Sequence, residues 1–231
     1  MIRALLFGHG RMGRLVEQHA SAHGVEIVDV LSRTTPAGTW QRWMTASADV
    51  VIDFATGEAL VAHLDQLCQV APTLVIGSTG WSADDGAVRE TLTRHAVGAV
   101  VASNFSVGAH VLEAAAVAAA RLLQDAGEYE AFLHEAHHSA KRDAPSGTAK
   151  SLLAAVAGSG YTRPVDVSVT RAGHIPGTHS IGFDGPAETV TLTHTVRDRA
   201  TFAHGALRAA RWVQGRTGTY TMKDVLGISY A

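Results

Sequence analysis

A segment in the middle of the chain, residues 134–150, combines several side chains that could carry chemistry. It reads HEAHHSAKRDAPSGTAK. His137 and His138 can take up or release protons near neutral pH, and Lys141 adds positive charge beside them. A single histidine usually has only a structural or surface role, but the clustering of two with a lysine favours a chemical one.

The same segment leads into a helix start that could bind an anion. Ser146 is a typical N-cap residue, and Gly147 and Thr148 begin the helix-like stretch that follows it. The first backbone N–H groups of a helix have no partner within the helix and carry partial positive charge. The segment therefore predicts a site for a small dianionic substrate, such as a dicarboxylate.

A zinc site is an alternative for this segment, because His134, Glu135 and His138 fit the pattern H-E-x-x-H. That pattern binds zinc only when both histidines lie on one face of a helix. Pro145 and Gly147 break any helix just downstream, and no third ligand stands at a recognised spacing. We therefore expect no metal site.

A glycine cluster near the start of the chain indicates dinucleotide binding. GHGRMG has the spacing G-x-G-x-x-G, follows a predicted strand and opens a predicted helix, as this motif requires. Gly8 permits the tight turn, Gly10 lets the backbone approach a pyrophosphate, and Gly13 allows close packing of helix and strand. The helix N-terminus would then face the pyrophosphate.

The end of the second predicted strand bears on which dinucleotide is bound. NAD-selective sites usually carry Asp or Glu there, whereas this chain has Ser32 and Arg33, and Asp29 lies three residues earlier, within the strand. A guanidinium suits a 2′-phosphate better than a 2′-hydroxyl. We predict a preference for NADPH, with NADH possible; alternatively, Arg33 is a solvated loop residue.

The elements that must position these residues fall into two groups. Over the first hundred residues, apolar strands alternate with amphipathic helices, which predicts a Rossmann-like parallel sheet covered on both faces. Ligands bind at the carboxyl edge of such a sheet, where the turns GSTG and ASNF follow two strands. Beyond a long alanine-rich helix, the segments VDVSVTRAG, HSIGFDG and AETVTLTHTV alternate with period two and look like antiparallel strands. We predict an α/β domain followed by a smaller α+β domain with a mixed or antiparallel sheet.

Composition excludes several functional classes. The net charge of −2 leaves no basic footprint for nucleic acid. The longest apolar stretch, residues 107–123, contains His110, Glu113 and Arg121, and is too short and polar to span a membrane. No signal peptide is evident, and the single cysteine, Cys68, fits a reducing compartment. We expect a cytoplasmic protein.

The motifs together resemble the dihydrodipicolinate reductase family. The family signature E-x-H-H-x-x-K-x-D-A-P-S-G-T-A is matched by EAHHSAKRDAPSGTA. Further family counterparts occur in order along nearly the whole chain: GHGRMGR, VIDFA, VIGSTGW, SNFSVG, RAGHIPGTHSIGF, ETVTLTHTVRDRATFAHGALRAARWV and MKDVLG.

The resemblance implies an activity and roles for particular residues. Hydride would pass from NADPH or NADH to the unsaturated ring of dihydrodipicolinate, giving tetrahydrodipicolinate for lysine and diaminopimelate synthesis. His137 matches the proton donor or acceptor, and Lys141 matches the proton donor. The residues that contact the substrate in the family correspond here to His138, Lys141, Gly147 and Thr148. The cofactor contacts match Gly8, His9, Gly10, Arg11, Met12, Gly13, Ser32, Arg33, Gly77, Ser78, Thr79, Ala102, Ser103, Asn104 and Phe105, with Arg199 a weaker candidate near either ligand.

The resemblance also implies domain organisation and assembly. Residues 1–105 and 206–231 would form the dinucleotide-binding domain, and residues 106–205 would bind substrate and mediate oligomerisation. Family members are usually homotetramers built through the sheets of the second domain. This chain is shorter than many relatives, lacks one glycine of the first loop, and has Ala140 where many members carry a basic residue.

Two other functions are compatible with parts of this pattern. Another two-domain dehydrogenase, such as a semialdehyde or homoserine enzyme, would need a catalytic cysteine or a different lysine arrangement, and Cys68 lies in a predicted helix. A nucleotide-sensing protein could keep the fold without activity, although the intact His137 and Lys141 argue against it.

Overall fold

The architecture was analysed in a computed structural model that describes residues 1–32, 39–81 and 85–229. Within this part, the chain divides into two compact units. The first comprises residues 1–107 and 199–229, and the second comprises residues 108–198. Arg33, on which the predicted NADPH preference depends, lies outside the described residues.

The first unit contains a six-stranded parallel sheet in the order β10-β5-β4-β3-β1-β2. Its strands are β1 (Ile2–Phe7), β2 (Val25–Leu31), β3 (Val50–Asp53), β4 (Thr73–Ile76), β5 (Gly98–Val101) and β10 (Gly218–Tyr220). The four central strands, β1, β3, β4 and β5, are almost completely buried, as the unbroken apolar runs predict for strands covered on both faces. The short strand β10 was not predicted from the sequence.

Helices cover both faces of this sheet. The helices are α1 (Arg11–Ala20), α2 (Thr39–Thr45), α3 (Gly57–Val70), α4 (Asp85–Arg94), α7 (Ala200–Trp212) and α8 (Met222–Leu226). One core includes Val16 of α1 and Leu207 of α7 packed with β-strand residues. The other includes Leu60 of α3 and Leu92 of α4. The predicted Rossmann-like arrangement is therefore confirmed.

The second unit consists of a four-stranded sheet and two helices. Its strands are β6 (Glu130–His137), β7 (Val165–Arg171), β8 (Thr178–Asp184) and β9 (Thr189–Thr195), in the order β7-β6-β8-β9. Its helices are α5 (Val107–Gln124) and α6 (Gly147–Gly158). Side chains from both helices share one core with the alternate, inward-facing residues of β6 and β8.

This second sheet is mixed, so the expectation that VDVSVTRAG forms an antiparallel strand was wrong. β7 pairs with β6 in parallel, whereas β8 pairs antiparallel with both β6 and β9. The reason is connectivity: α6 lies between β6 and β7 in the chain, and a helical crossover returns the chain so that the next strand runs in the same direction. The short links around β8 allow antiparallel pairing.

The chain passes from one unit to the other between Val107 and Gly108, and returns between Asp198 and Arg199. The second crossing precedes α7, which begins at Ala200 and belongs as a whole to the first unit. None of the helices in the described ranges has the length and hydrophobicity needed to cross a membrane.

Candidate active site

Backbone hydrogen bonds connect the ends of adjacent strands along one edge of the first sheet. The backbone N–H of Gly8 donates to Leu31 at 2.8 Å, and that of Phe54 donates to Phe7 at 2.8 Å. The N–H of Gly77 donates to the carbonyl of Asp53 at 2.9 Å. These bonds place the first glycine turn beside the turns that follow β3 and β4, at the carboxyl edge where parallel sheets bind ligands.

Two glycines of GHGRMG are required by close packing. Gly8 has a φ of +96°, and a Cβ on it would lie 2.6 Å from the carbonyl carbon of Phe54. A Cβ on Gly13 would overlap the carbonyl oxygen of Gly8. Only glycine fits either position without moving backbone, as the sequence analysis proposed for the turn and for helix–strand contact.

The third glycine leaves space at the start of α1. Gly10 is the N-cap residue, and a Cβ there would meet no atom within 4 Å. No side chain caps this helix end, and its first turn carries no acidic residue. His9 is instead held by Glu17, with 2.7 Å between Nε2 and a carboxylate oxygen. A pyrophosphate would fit here, since the first N–H groups and the helix dipole both favour an anion.

A buried carboxylate organises the turns that follow β3 and β4. The Asp53 side chain accepts hydrogen bonds from the N–H of Ala55 at 2.8 Å and the N–H of Ser78 at 3.3 Å. Burial raises the pKa of Asp53 to about 6, although the hydrogen bonds to Ser78 and Ala55 oppose the rise. Sequence reasoning missed this role, because Asp53 reads as the last residue of a strand.

Two phenylalanine rings lie in contact at this edge of the sheet, one after β3 and one after β5. Phe54 and Phe105 make an edge-to-face contact with ring centroids 5.7 Å apart. A Cβ on Gly77 would collide with the Phe54 ring, and a Cβ on Gly205 would overlap the backbone of Phe105. The turn beginning at Ala102 is tied to β4 through its N–H, which donates to Ile76 at 3.1 Å.

The remaining predicted cofactor residues lie along the same strand ends or the α1 start. Ser32 follows the last residue of β2 and is partly buried. Arg11 and Met12 form the first turn of α1, while Ser103 and Asn104 follow β5. Thr79 packs closely against Gly57, where a Cβ would lie 2.6 Å from the Thr79 carbonyl oxygen. The structure thus brings the described members of the predicted set to one edge.

In the second unit, the histidine-rich segment begins as a strand. Residues alternate between the two faces of β6, so Leu133, Glu135 and His137 are buried, whereas His134 is only partly buried. His134 contacts the Ser168 hydroxyl across the sheet, with 2.9 Å between Nδ1 and Oγ. The H-E-x-x-H hypothesis fails here, because His134 and Glu135 point to opposite faces.

Glu135 lies at the centre of a hydrogen-bonded network. It is fully buried and accepts from the backbone N–H of Ser146 at 3.0 and 3.1 Å. Arg171 donates to Glu135 at 2.6 Å and to the carbonyl of Asp143 at 2.6 Å. Burial alone would raise the pKa of Glu135, but the hydrogen bonds from Ser146 and Arg171 and the charge of Arg171 lower it.

Two buried histidines adjoin this carboxylate. Nδ1 of His137 lies 3.8 Å from Glu135, and Nε2 of His179 lies 3.5 Å from it. Their rings meet edge-to-face at 5.0 Å. Burial lowers the pKa of His137 despite the opposing charge of Glu135. Burial, followed by the effect of His137, lowers the pKa of His179 to about 4, so His179 is neutral at neutral pH.

The start of α6 is held by the same network. Ser146 caps the helix, because its hydroxyl accepts from the N–H of Ala149 at 3.2 Å, and it also contacts Nε2 of His179 at 3.0 Å. Gly147 is exposed and Thr148 is partly exposed. Ser146 therefore has the structural role of an N-cap that its sequence position predicts, and the helix start that follows is partly open to solvent.

Lys141 and His138 belong to the loop between β6 and α6. Lys141 forms an ion pair with Asp143, with contacts of 2.7 and 3.0 Å to its two carboxylate oxygens. The N–H of Lys141 donates to the carbonyl of His138 at 3.1 Å, which makes a turn directly after β6. Both side chains are partly exposed. The structure thus places His137, His138, Lys141, Gly147 and Thr148 at one end of the second sheet.

The distances around Glu135 raise the question of a metal ion again, with different residues. Glu135, His137 and His179 each offer a ligand atom within 4.8 Å of the others. However, Glu135 already accepts from Ser146, and the Arg171 guanidinium lies 2.6 Å from it. A divalent cation would face that positive charge, so we interpret the cluster as a carboxylate that Ser146 and Arg171 compensate, with the two histidines beside it.

Sequence reasoning had missed three members of this network: Glu135, Arg171 and His179. Glu135 was given no role beyond the rejected zinc pattern and its place in the family signature, and Arg171 and His179 are far from the histidine segment in sequence. Arg171 ends β7 and His179 lies in β8, the two strands that flank β6. Their presence in the family counterpart RAGHIPGTHSIGF was the available signal.

Comparison with known families agrees with both halves of this description. Residues 2–105 match the N-terminal part of dihydrodipicolinate reductase, and residues 108–226 match its C-terminal part. The chain belongs to the dihydrodipicolinate reductase family. The resemblance inferred from the motifs is therefore confirmed over nearly the whole chain.

Curated relatives of this family align over almost their full length. The chain is 37% identical to the 4-hydroxy-tetrahydrodipicolinate reductase of Methanoculleus marisnigri, covering 99% of this chain and 100% of the relative. It is also 37% identical to that of Thiobacillus denitrificans, covering 95% and 96% respectively.

A solved structure in the dihydrodipicolinate reductase family has the same fold. Dipicolinate-bound dihydrodipicolinate reductase from Paenisporosarcina sp. TG-14 superposes with a TM-score of 0.81, covering 96% of this chain and 97% of that chain. The sequence identity is 22%, so this similarity supports the fold. The predicted α/β class with a smaller α+β part is confirmed.

Proposed function

We propose that this chain reduces a dihydrodipicolinate-type cyclic dicarboxylate to tetrahydrodipicolinate with NADPH, in lysine and diaminopimelate synthesis. The proposal rests on one observation: a side chain that can transfer a proton and a helix start that can bind an anion adjoin the same buried carboxylate. Through Glu135, His137 is linked to the N-cap residue Ser146 of α6. The similarity to curated 4-hydroxy-tetrahydrodipicolinate reductases supports the same activity for this chain.

Each unit would bind one of the two reactants. In the first, the start of α1 and the turns after β3, β4 and β5 would hold the dinucleotide, which supplies a hydride when bound. In the second, the N–H groups at Gly147 and Thr148, with His138 and Lys141, would bind the carboxylates of the substrate.

The proposed step requires one proton in addition to the hydride. The ring gains a hydride from the dinucleotide at carbon and a proton at the adjacent position, and the dinucleotide leaves oxidised. His137 or Lys141 would supply that proton, since both stand at the end of β6. If the substrate is hydroxylated, one molecule of water leaves before the hydride arrives.

A coupled assay tests this proposal directly. Aspartate semialdehyde, pyruvate and the upstream synthase generate the substrate, and NADPH absorbance reports its reduction. We expect NADPH oxidation that depends on every component. NADPH binding without oxidation would instead support a nucleotide-sensing protein. The alternative of a cysteine-dependent dehydrogenase is disfavoured, because Cys68 is buried on α3 and burial raises the pKa of its thiol to about 12.

The preference for NADPH over NADH stays a prediction that rests on Ser32 and Arg33. A guanidinium at position 33 would pair with the 2′-phosphate, whereas the hydroxyl of Ser32 leaves NADH usable. We expect a lower KM for NADPH than for NADH, and we expect Arg33→Ala to raise only the former. Equal KM values that do not respond to this substitution would refute the preference.

A homotetramer is proposed on the basis of the open face of the second sheet. Opposite the α5–α6 face, β6 carries Phe132 and His134, flanked by hydroxyl side chains of the neighbouring strands. Examples are Ser168 beside His134, and Ser180, which contacts Thr193 at 2.8 Å. A flat face of this kind suits packing against the same face of another copy. Light scattering after gel filtration measures the molar mass of the assembly. We also propose that the protein is cytoplasmic.

A further inference from the structure

One buried carboxylate touches both parts of the proposed substrate site. Glu135 lies in β6, two residues before His137, and its side chain reaches the backbone N–H of the α6 N-cap residue, Ser146. It also lies 3.8 Å from Nδ1 of His137, an atom with no hydrogen-bond partner in the part of the chain that the structure describes.

A charged carboxylate in such a position is costly unless it is well compensated. Full burial removes the hydration of Glu135, and an isolated buried acid responds by becoming neutral. Here the N–H of Ser146 and the guanidinium of Arg171 compensate, and they lower the pKa of Glu135. The protein therefore keeps a negative charge next to His137.

We propose that Glu135 is a positioning residue for the reductase, orienting His137 and fixing the start of α6, and that Arg171 holds Glu135 in place. The proposal rests on the proposed function, because His137 and the α6 start act on substrate only in that reaction. Glu135 itself contacts neither substrate nor dinucleotide in this scheme. It acts through the charge that it places beside His137 and through its bonds to Ser146.

The network predicts opposite electrostatic effects for its two charged members. The charge of Glu135 favours the protonated form of His137, whereas the charge of Arg171 opposes it. Arg171 also joins Glu135 to the carbonyl of Asp143, at the other end of the substrate loop. Removing the charge of Glu135 should therefore lower the pKa of His137, whereas removing Arg171 also takes away the partner that keeps Glu135 charged.

Other groups around His137 must be accounted for in the same titration. The ring of His179 meets it from β8, and Lys141 and Asp143 face it from the loop before α6. Lys141 opposes protonation of His137 and Asp143 favours it. Because these groups are unchanged in Glu135→Gln, they set the baseline, and the direction of the shift in that variant depends on the lost carboxylate charge.

The first measurement is an NMR titration of the His137 ring in the full-length protein. In Glu135→Gln, which keeps the side-chain shape, we expect the pKa of His137 to fall. General loosening of the site would expose His137 and raise its pKa instead, because burial is the main cause of its lowered value. Glu130→Gln changes an exposed carboxylate of the same strand and is the matched control.

The second measurement separates positioning from simple charge. Pyridine-2,6-dicarboxylate binding by calorimetry reports the substrate site without turnover, and steady-state kinetics report KM, kcat and their pH dependence. We expect Glu135→Gln to weaken binding and raise KM by roughly tenfold or more, because the helix start loses its anchor. Its kcat profile should move to lower pH, while NADPH affinity stays unchanged.

The outcomes distinguish this proposal from the proposed function. If the unmodified protein does not oxidise NADPH in the coupled assay, the proposed function fails, but the NMR titration still tests the effect of Glu135 on His137. If Glu135→Gln is folded and leaves the His137 titration, dicarboxylate binding and KM as they were, the positioning role is overturned. If that variant does not fold, Arg171→Met tests the same role, because Arg171 holds Glu135 in place. Dicarboxylate binding and KM that are unchanged in Arg171→Met overturn it.

Discussion

Gly177 lies directly against the ring of His137. A Cβ on Gly177 would sit 3.2 Å from Nε2 and 3.3 Å from Cδ2 of that ring, closer than side chains normally approach. Gly177 also has a φ of +135°, a conformation that favours glycine. The loop before β8 therefore approaches His137 as closely as it does only because position 177 lacks a side chain.

Replacing Gly177 by alanine should displace His137 as well as strain the loop. We expect Gly177→Ala to lower turnover by roughly tenfold or more and to cost about 1–3 kcal/mol of stability. Gly160→Ala is the control, since Gly160 has a φ of +95° but no atom within 4 Å of an added Cβ. Equal loss of turnover in both variants would show that contact with His137 is unimportant.

Loss of either proposed proton donor should affect turnover more than nucleotide binding. We expect His137→Ala and Lys141→Ala each to lower kcat by about 10²–10⁴-fold, the usual range for acid–base groups. Because both residues belong to the second unit, the dissociation constant for NADPH should be nearly unchanged. Lys150→Ala removes an exposed lysine of α6 and is the control. A large loss of NADPH affinity in either variant would contradict the assignment.

The buried Asp53 should make stability depend on pH in an unusual direction. Its pKa rises from 3.8 to about 6 on folding, so the folded state binds the proton more tightly. The resulting stabilisation is complete below pH 4 and is lost as the pH rises to about 6, amounting to about 3 kcal/mol. Asp53→Asn should therefore gain stability relative to the unmodified protein between pH 4 and 7. Urea denaturation from pH 4 to pH 7 measures the free energy of unfolding of both proteins, with Glu26→Gln as the control. A difference between the two free energies that does not change with pH would refute the prediction.

His179 should have the opposite effect over a similar range. Its pKa falls from 6.5 to about 4 on folding, so stability is complete above pH 6.5 and is lost as the pH falls towards 4. The loss amounts to about 3 kcal/mol. His179→Gln can still hydrogen-bond to Ser146, and its stability relative to the unmodified protein should improve on acidification. We would abandon this interpretation if the difference between the two proteins stayed constant from pH 7 to pH 4.

Removal of metal ions should leave the protein unaffected. The carboxylate of the Glu135 cluster is already bonded to Ser146 and Arg171, so we expect no stoichiometric metal after purification and no loss of activity after dialysis against a chelator. Elemental analysis and the coupled assay measure these two quantities. Stoichiometric zinc whose removal abolishes activity would mean that Glu135, His137 and His179 bind a metal instead.

The sequence alone determined the features that depend on local pattern. Glycines at positions 8, 10 and 13 after an apolar run specify a tight turn and an open helix start: only glycine fits at 8 and 13, and Gly10 leaves the helix start uncovered. Uninterrupted apolar strands likewise specified a parallel sheet with both faces covered. The family resemblance rested on such contiguous motifs, and both family matches confirm it.

Only the tertiary structure decided which distant residues surround His137. The rejected zinc pattern would have placed Glu135 on a helix. In the strand β6, period two turns its side chain away from His134 and towards the core. Arg171 and His179 reach it because β7 and β8 pair on either side of β6. Strand pairing across 36 and more residues depends on the whole sheet burying its inner face, which no short motif encodes.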